Sequence, residues 1–388
     1  MASIDHAYFE SKHFVFVFGQ LRSFGGAERQ ALILAESLIN QIGAKVSVLT
    51  WGKMGTVSER FEALGASCHK VPLNWKGSPL NRILGLKQMA AYCRETIKPD
   101  YFLPYIGINC KVAGLIWKFS GASFTWWNQR DEGRDIFGSR LENYLIRRMP
   151  AIVSNSYEGQ DFLMRTFGLE AQQIRVINNG IILPELSDGA KWRKDLSLGP
   201  NDSLLLMTAN LTKYKDHSTL IKAFAKIKKA RPDKRQVLVC AGRHADTTTD
   251  LKVLLYDLGL SSADVLLPGR VDNVSELISA ADIVVHSSKF EGCPNAALEG
   301  MANRKCVLGT DISGMRQALG EPSAKECLAP ADDADALAQR CLHFLDHPQE
   351  REAHGKRNRE RVTSEYSIAK LTNETLQTIR ENESAPRN

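Results

Sequence analysis

The chain has 388 residues, 43% of them hydrophobic and 24% charged, with 50 Lys+Arg against 44 Asp+Glu for a net charge of +6. That length predicts two domains rather than one ordinary core, and the composition is that of a soluble globular protein. Met1 to Lys12 is mixed and polar and does not read as a secretory signal. No apolar run approaches the ~20 residues that a membrane-spanning helix needs, so a cytosolic location is expected. The positive charge lies in the first part: residues 1–184 hold 21 Lys+Arg against 15 Asp+Glu, and the remainder balances at 29 against 29. A basic first half can serve an anionic partner such as a phospholipid surface, a lipid pyrophosphate or nucleic acid.

Along the chain, short β-branched or aromatic runs alternate with longer amphipathic stretches. His13 to Phe18 predicts a buried strand, Ala27 to Ile42 a helix, and Lys45 to Trp51 a second strand. Further strands are expected at Ala122 to Trp127, Ala151 to Ser154 and Arg175 to Ile177. After the Asn179-Gly180 turn signal, Pro184 to Pro200 is a looser, polar connection. A second series follows: strand Leu204 to Thr208, helix Ser218 to Lys229, strand Gln236 to Ala241, strands Val265 to Leu267 and Asp282 to His286, and a helix from Pro294 to Ala302. This alternation predicts βαβ units and parallel sheets covered on both faces. The expected domains are 1–184 and 185–360, with 361–388 as a final helix and tail. Arg359 to Arg380 reads as helical, and Glu381 to Asn388 as frayed.

Two loops carry candidate chemistry. Gly25-Gly26 opens the first helix, where adjacent glycines let backbone N–H groups face an anion at the positive end of the helix dipole. The segment is neither G-x-G-x-x-G nor G-x-x-x-x-G-K-[ST], so neither a dinucleotide fingerprint nor a P-loop is supported. The richer stretch runs from Ser287 to Ala302. Pro294 suits a first helical position. The N–H groups of Asn295, Ala296 and Ala297 are then first-turn donors for a sugar hydroxyl or a diphosphate oxygen. Glu291 precedes this turn and Glu299 follows it, too far apart in helical phase to share one face. They are suited to separate hydroxyl-rich parts of an extended ligand.

The pattern E-G-x-P-N-x-x-x-E-x-M-A in this stretch resembles the donor-site motif of glycosyltransferase family 4, the large retaining family of GT-B fold. The resemblance implies two Rossmann-like domains facing across a cleft, with a C-terminal helix crossing back to the first. It implies that Glu291, Gly292, Cys293, Pro294 and Asn295 face the transferred sugar and diphosphate, and that Glu299 faces the nucleotide ribose. Thr208 to His217 resembles the family's G-R-L-x-x-x-K-G segment, whose Arg and Lys neutralise the diphosphate. Lys215 matches the Lys, and Asn210 stands where the Arg would be. Another cation is then required, with Arg243, Arg22 and Arg29 as candidates. Val271 falls where family members line the base pocket, and Gly25 and Gly26 resemble the glycine loop that approaches the donor phosphates. On this resemblance Glu291 and Lys215 are the catalytic pair. The donor is a nucleotide diphosphate sugar, and the acceptor is a glycan or lipid-linked hydroxyl in polysaccharide or glycoconjugate assembly. No cofactor or metal is expected, and no nucleic acid partner. A nucleotide-sugar-binding subunit without transfer, and an epimerase on the same architecture, are the alternatives.

Outside the motif, Arg130, Asp131 and Glu132 close a first-domain strand, where either an acceptor or donor contact or a salt-bridged loop is expected. Asp333-Ala334-Asp335 spells a D-x-D, but at an apparent helix start, where acids cap. No other His/Asp/Glu group has metal-ligand spacing on this reading. Asn81 to Lys98 mixes Arg82, Lys87, Arg94 and Lys98 with Ile83, Leu84, Leu86, Met89 and Tyr92, so it either packs on its own sheet or lies on the inner face of a plasma membrane.

Overall fold

The computed structural model describes residues 5–22, 24–134 and 136–383. The chain divides into two compact units, one running to Gly180 and resuming at Ile368, the other spanning Ile181–Ser367. These divisions stand in place of the expected 184/185 and 360/361. The expected frayed tail lies mostly outside the described residues: helix continues to Asn382, and 384–388 are not described.

In the first unit the strands are β1 (His13–Phe18), β2 (Lys45–Thr50), β3 (Ser67–Lys70), β4 (Tyr101–Pro104), β5 (Trp126–Gln129), β6 (Ala151–Ser154) and β7 (Arg175–Val176). They form a four-stranded sheet, β3-β2-β1-β4, and a three-stranded sheet, β5-β6-β7, parallel throughout. A bridge between Tyr101 and Phe124 joins the two. The expected strand from Ala122 therefore has two halves: Ser123 and Phe124 pair beside β4, and Trp126 onward pairs with β6. All six residues of β1 are buried, as a central parallel strand covered on both faces requires.

The helix Gly26–Asn40 turns Ala31, Leu34, Ala35 and Leu38 inward. Each fully buried Leu or Phe in such a face contributes roughly 1.5–3 kcal/mol. The same helix buries Gln30, whose amide donates to Gly180 O at 2.9 Å and accepts from Gly180 N at 2.8 Å, tying the two ends of this stretch of chain together. The last helix, Ile368–Asn382, belongs to this unit. It adds Leu371, Leu376 and Ile379 to the same core, and Thr372 Oγ1 donates to Ser37 Oγ at 2.8 Å.

The second unit holds β8 (Ser203–Thr208), β9 (Gln236–Ala241), β10 (Val265–Gly269), β11 (Ile283–His286), β12 (Cys306–Thr310) and β13 (Leu328–Ala329). They form one parallel sheet in the order β10-β9-β8-β11-β12-β13. Strand order runs outward in opposite directions from the adjacent β8 and β11, which makes their carboxyl edge a topological switch point, where open parallel sheets bind ligands in a crevice.

Two sequence expectations need correction. Arg359 to Arg380 is not one helix: Pro348–Glu365 and Ile368–Asn382 are separate. Between them Tyr366 is buried, its hydroxyl donates to Gln317 O at 2.9 Å, and its carbonyl accepts from Ile181 N at 2.8 Å, which takes the backbone out of the helical ladder. Pro294 is not the first helical residue but the N-cap (φ −78°, ψ 90°) of the helix Asn295–Ala302. No described helix is long and apolar enough to cross a membrane.

Candidate functional site

The loops after β8 and β11 meet at that crevice. After Thr208 the chain makes a turn at Lys213–Lys215 and enters the helix His217–Ala230, capped by Asp216. After His286 it runs through Ser287–Pro294 into the helix Asn295–Ala302. The two loops are sewn together by hydroxyls: Ser287 Oγ donates to Asp216 O at 3.0 Å, and Ser288 Oγ to Tyr214 O at 2.9 Å. Lys289 N also donates to Tyr214 O, at 2.9 Å. Thr310, at the end of β12, braces Ser288 by accepting from its N–H and donating to its carbonyl.

This stitching brings together the two residues that the sequence paired at a distance. Lys215 Nζ donates to Glu291 Oε1. The same oxygen receives His286 Nε2 at 2.8 Å. The Glu291 side chain is 9% exposed and that of Lys215 26%, so the pair sits at the mouth of the crevice with the carboxylate inside. Burial alone would raise the Glu291 carboxyl. The Lys215 ammonium and the His286 N–H overturn that and hold it well below the usual carboxylate range. Burial keeps His286 neutral, so its Nε2 carries the proton it donates. His217, beside Lys215 and His286, is held neutral as well: burial first, then those two neighbours, push its pKa down to about 4. Thr208 Oγ1, Asp216 Oδ2 and both ring nitrogens of His217 are buried polar atoms with no partner among the described residues. They gather at this same strand end, where a binding site rather than a filled core is expected.

The remaining donor-loop residues are distributed as follows. Asn210 Oδ1 accepts from Arg243 N at 3.0 Å, so this residue ties its own loop to the one after β9. The Arg243 side chain is exposed beside it and forms no ion pair among the described residues. Gly292 and Pro294 are buried, Cys293 and Asn295 half-buried, and Glu299 half-buried within the helix. Val271 is half-buried and packs on the core of this unit.

Two glycines make the crevice possible by close approach. A Cβ on Gly242 would lie 1.9 Å from Ala209 O, and one on Gly314 would lie 2.5 Å from Glu291 O and 2.6 Å from Gly292 O. Sequence reading missed His286, the bracing hydroxyls and these glycines. The available signal was a histidine closing the otherwise apolar strand Ile283–His286, followed by Ser287-Ser288.

In the first unit Gly25 and Gly26 are exposed, and Glu28 Oε2 accepts from Gly25 N at 2.9 Å, so one of the expected loop donors is occupied by the chain itself. Arg22 and Arg29 lie on this loop and the first helical turn. Arg130 Nη2 donates to Asn179 Oδ1 at 2.6 Å and stacks on Tyr105 at 5.0 Å, while Glu132 pairs with Arg134 at 2.6 Å. Asp131 accepts from Gln129 Nε2 and Gly133 N, and its pKa is raised, mostly by burial. The D-x-D at Asp333–Asp335 is a cap: Asp333 accepts from Ala336 N at 2.9 Å, and Asp335 pairs with Lys226 at 2.8 Å. All eight cysteines are free thiols, six of them buried. The helix Pro79–Tyr92 packs Gly85, Met89 and Ala90 inward and leaves Leu80, Ile83 and Leu84 exposed beside Lys87.

Comparison with known proteins shows the family and the fold. Residues 24–183 match the family model described as "Glycosyltransferase Family 4", and residues 188–361 match "Glycosyl transferases group 1". A Campylobacter jejuni N-acetylgalactosamine-N,N'-diacetylbacillosaminyl-diphospho-undecaprenol 4-alpha-N-acetylgalactosaminyltransferase is 26% identical over 245 residues, 62% of this chain and 64% of its own. A Catenulispora acidiphila D-inositol 3-phosphate glycosyltransferase is 25% identical over 218 residues, 53% of this chain and 50% of its own. The chain thus matches less than two thirds of the length of either. The fold is that of Anabaena HepE, solved with UDP and glucose, at a TM-score of 0.81, 17% identity, and coverage of 95% of this chain and 100% of that one.

Proposed function

This chain belongs to the family 4, group 1 glycosyltransferases, and from that membership we propose that it transfers a sugar from a nucleotide diphosphate sugar to a hydroxyl of a glycan or lipid-linked acceptor. The observation that carries the reading is the meeting of Lys215, Glu291 and His286 at the carboxyl edge between β8 and β11. A diphosphate leaving group needs positive charge at the moment the glycosidic bond breaks. Lys215 and the first-turn amides of the helix Asn295–Ala302 supply it, and exposed Arg243 stands beside Asn210 to take over from the absent arginine.

Only Oε1 of Glu291 is engaged by Lys215 and His286, which leaves Oε2 as acceptor for a sugar hydroxyl. Glu299, farther along the helix, takes the ribose, Val271 lines the base, and Gly292 to Asn295 wrap the sugar and diphosphate. In this reading the reaction retains anomeric configuration, needs no resident metal, and uses the departing phosphate to help deprotonate the acceptor. On the family resemblance, Gly25 and Gly26 are assigned to the donor phosphates and Arg130 and Glu132 to the acceptor. A hexose or N-acetylhexosamine is the transferred group. The exposed Leu80, Ile83 and Leu84 beside Lys87 favour peripheral contact with the membrane that carries a lipid-linked acceptor.

Because HepE binds UDP, uridine donors head the test. A thermal-shift panel of nucleotide sugars, followed by transfer to polyprenyl-diphosphate glycans, is expected to give stabilisation by one donor and product of unchanged anomeric configuration. Glu291→Gln should abolish transfer while the fold persists. Full turnover by that variant with the true donor and acceptor would refute the assignment. Asn210 in place of arginine favours a second reading, a subunit that binds donor without transferring it; binding without transfer or hydrolysis would select it.

A further inference from the structure

The crevice lies at the carboxyl edge of the second sheet, and a different cluster lies at the opposite edge. The helix Ala334–Asp346 runs back along the sheet and ends there: Asp346 Oδ1 pairs with Arg231 at 3.5 Å, just past the helix His217–Ala230 and ahead of β9. Arg351, early in the helix Pro348–Glu365, reaches Asp282 at 3.6 Å, the residue before β11. The corner between these two helices gathers His343, His347 and Glu350, all exposed, with one ligand atom from each within 4.8 Å of the others. His343 Nε2 and Glu350 Oε2 are 2.9 Å apart, and the two imidazoles stack with centroids 4.4 Å apart. His347 Nδ1 lies 2.8 Å from the carbonyl oxygen of His343. A carbonyl only accepts, so Nδ1 carries the proton and Nε2 presents a bare lone pair. A metal-binding imidazole is set up in this way, one nitrogen donating to a backbone carbonyl and the other left for the ion.

We propose that His343, His347 and Glu350 form a binding site for a divalent transition-metal ion, zinc in the first instance, which staples the end of one helix to the start of the next. Two imidazoles and one carboxylate are the donors such an ion prefers, whereas calcium and magnesium take oxygen. Ligand atoms on one ion stand roughly 3 Å apart, which the His343–Glu350 contact already meets; rotation of exposed side chains closes the rest. The backbone of the corner is held in advance by Arg351 N–H to His347 O at 3.0 Å and Arg351 Nη1 to Phe344 O at 2.9 Å. Positions not taken by protein face solvent. The site sits at the edge away from Glu291, so the ion steadies the fold and takes no part in transfer.

The test is titration of the chelator-treated full chain with zinc chloride by calorimetry, alongside thermal melts. One ion per chain and a rise in Tm are expected. His343→Ala, His347→Ala and Glu350→Gln should each weaken binding by at least about tenfold and remove the rise, with metal-free melting unchanged. His6→Ala, on an exposed histidine of the first unit, should bind as the parent does. Absence of saturable binding, or binding that survives all three substitutions, as a cysteine site would produce, overturns the proposal.

Discussion

His286 Nε2 lies 2.8 Å from Glu291 Oε1, five positions further along the chain, so the last residue of β11 grips the carboxylate of the loop that β11 launches. Lys215 shares that oxygen from the neighbouring loop. If Lys215 turns to a diphosphate as proposed, His286 is the group left holding Glu291. His286→Leu should lower kcat/KM roughly ten- to a hundredfold, the worth of one hydrogen bond to a buried charge, and His286→Gln should recover most of it through its own N–H. Steady-state kinetics of the two variants checks this, and equal loss in both would reduce His286 to a packing residue.

Lys215→Ala removes the ammonium and leaves Glu291 buried with a single partner. Nucleoside diphosphate affinity, measured by calorimetry, should fall about tenfold or more. An affinity equal to that of the parent would take Lys215 out of the donor site.

His217 titrates at about 4 in the folded chain against 6.5 for an unhindered imidazole. Between those values the unfolded chain takes up the proton and the folded chain does not, so stability must fall as pH drops from 6.5 to 4. The full difference is of the order of 3 kcal/mol. Chemical denaturation at stepped pH should show His217→Asn with a shallower decline over this window. Parallel curves would contradict the buried, neutral state.

Gly314 packs its Cα against the carbonyls of Glu291 and Gly292. Gly314→Ala forces that loop to move, at a cost of about 1–3 kcal/mol. Reduced Tm together with weakened donor binding is expected. Loss of Tm with intact binding would mean that the strain is absorbed elsewhere.

The parallel α/β architecture was legible because strands buried on both faces must be continuous apolar runs; HFVFVF and QVLVCA read correctly to the residue. The helix after Pro294 and the position of Glu291 before it were legible in the local pattern, whereas Lys215 was singled out by the resemblance of its segment to the family's motif. Local pattern did not reveal what depends on contacts far along the chain. Tyr366 breaks a helix through Gln317 and Ile181, Asn210 braces Arg243 N, and Gly314 and Gly242 are small because of backbone that only the fold brings near. Sequence by itself determined the alternation of strands and helices and the Glu291 loop that opens a helix, since periodicity and side-chain chemistry are local properties. Tertiary structure alone decided that Lys215 and His286 converge on one oxygen of Glu291, because strand order sets which loops become neighbours.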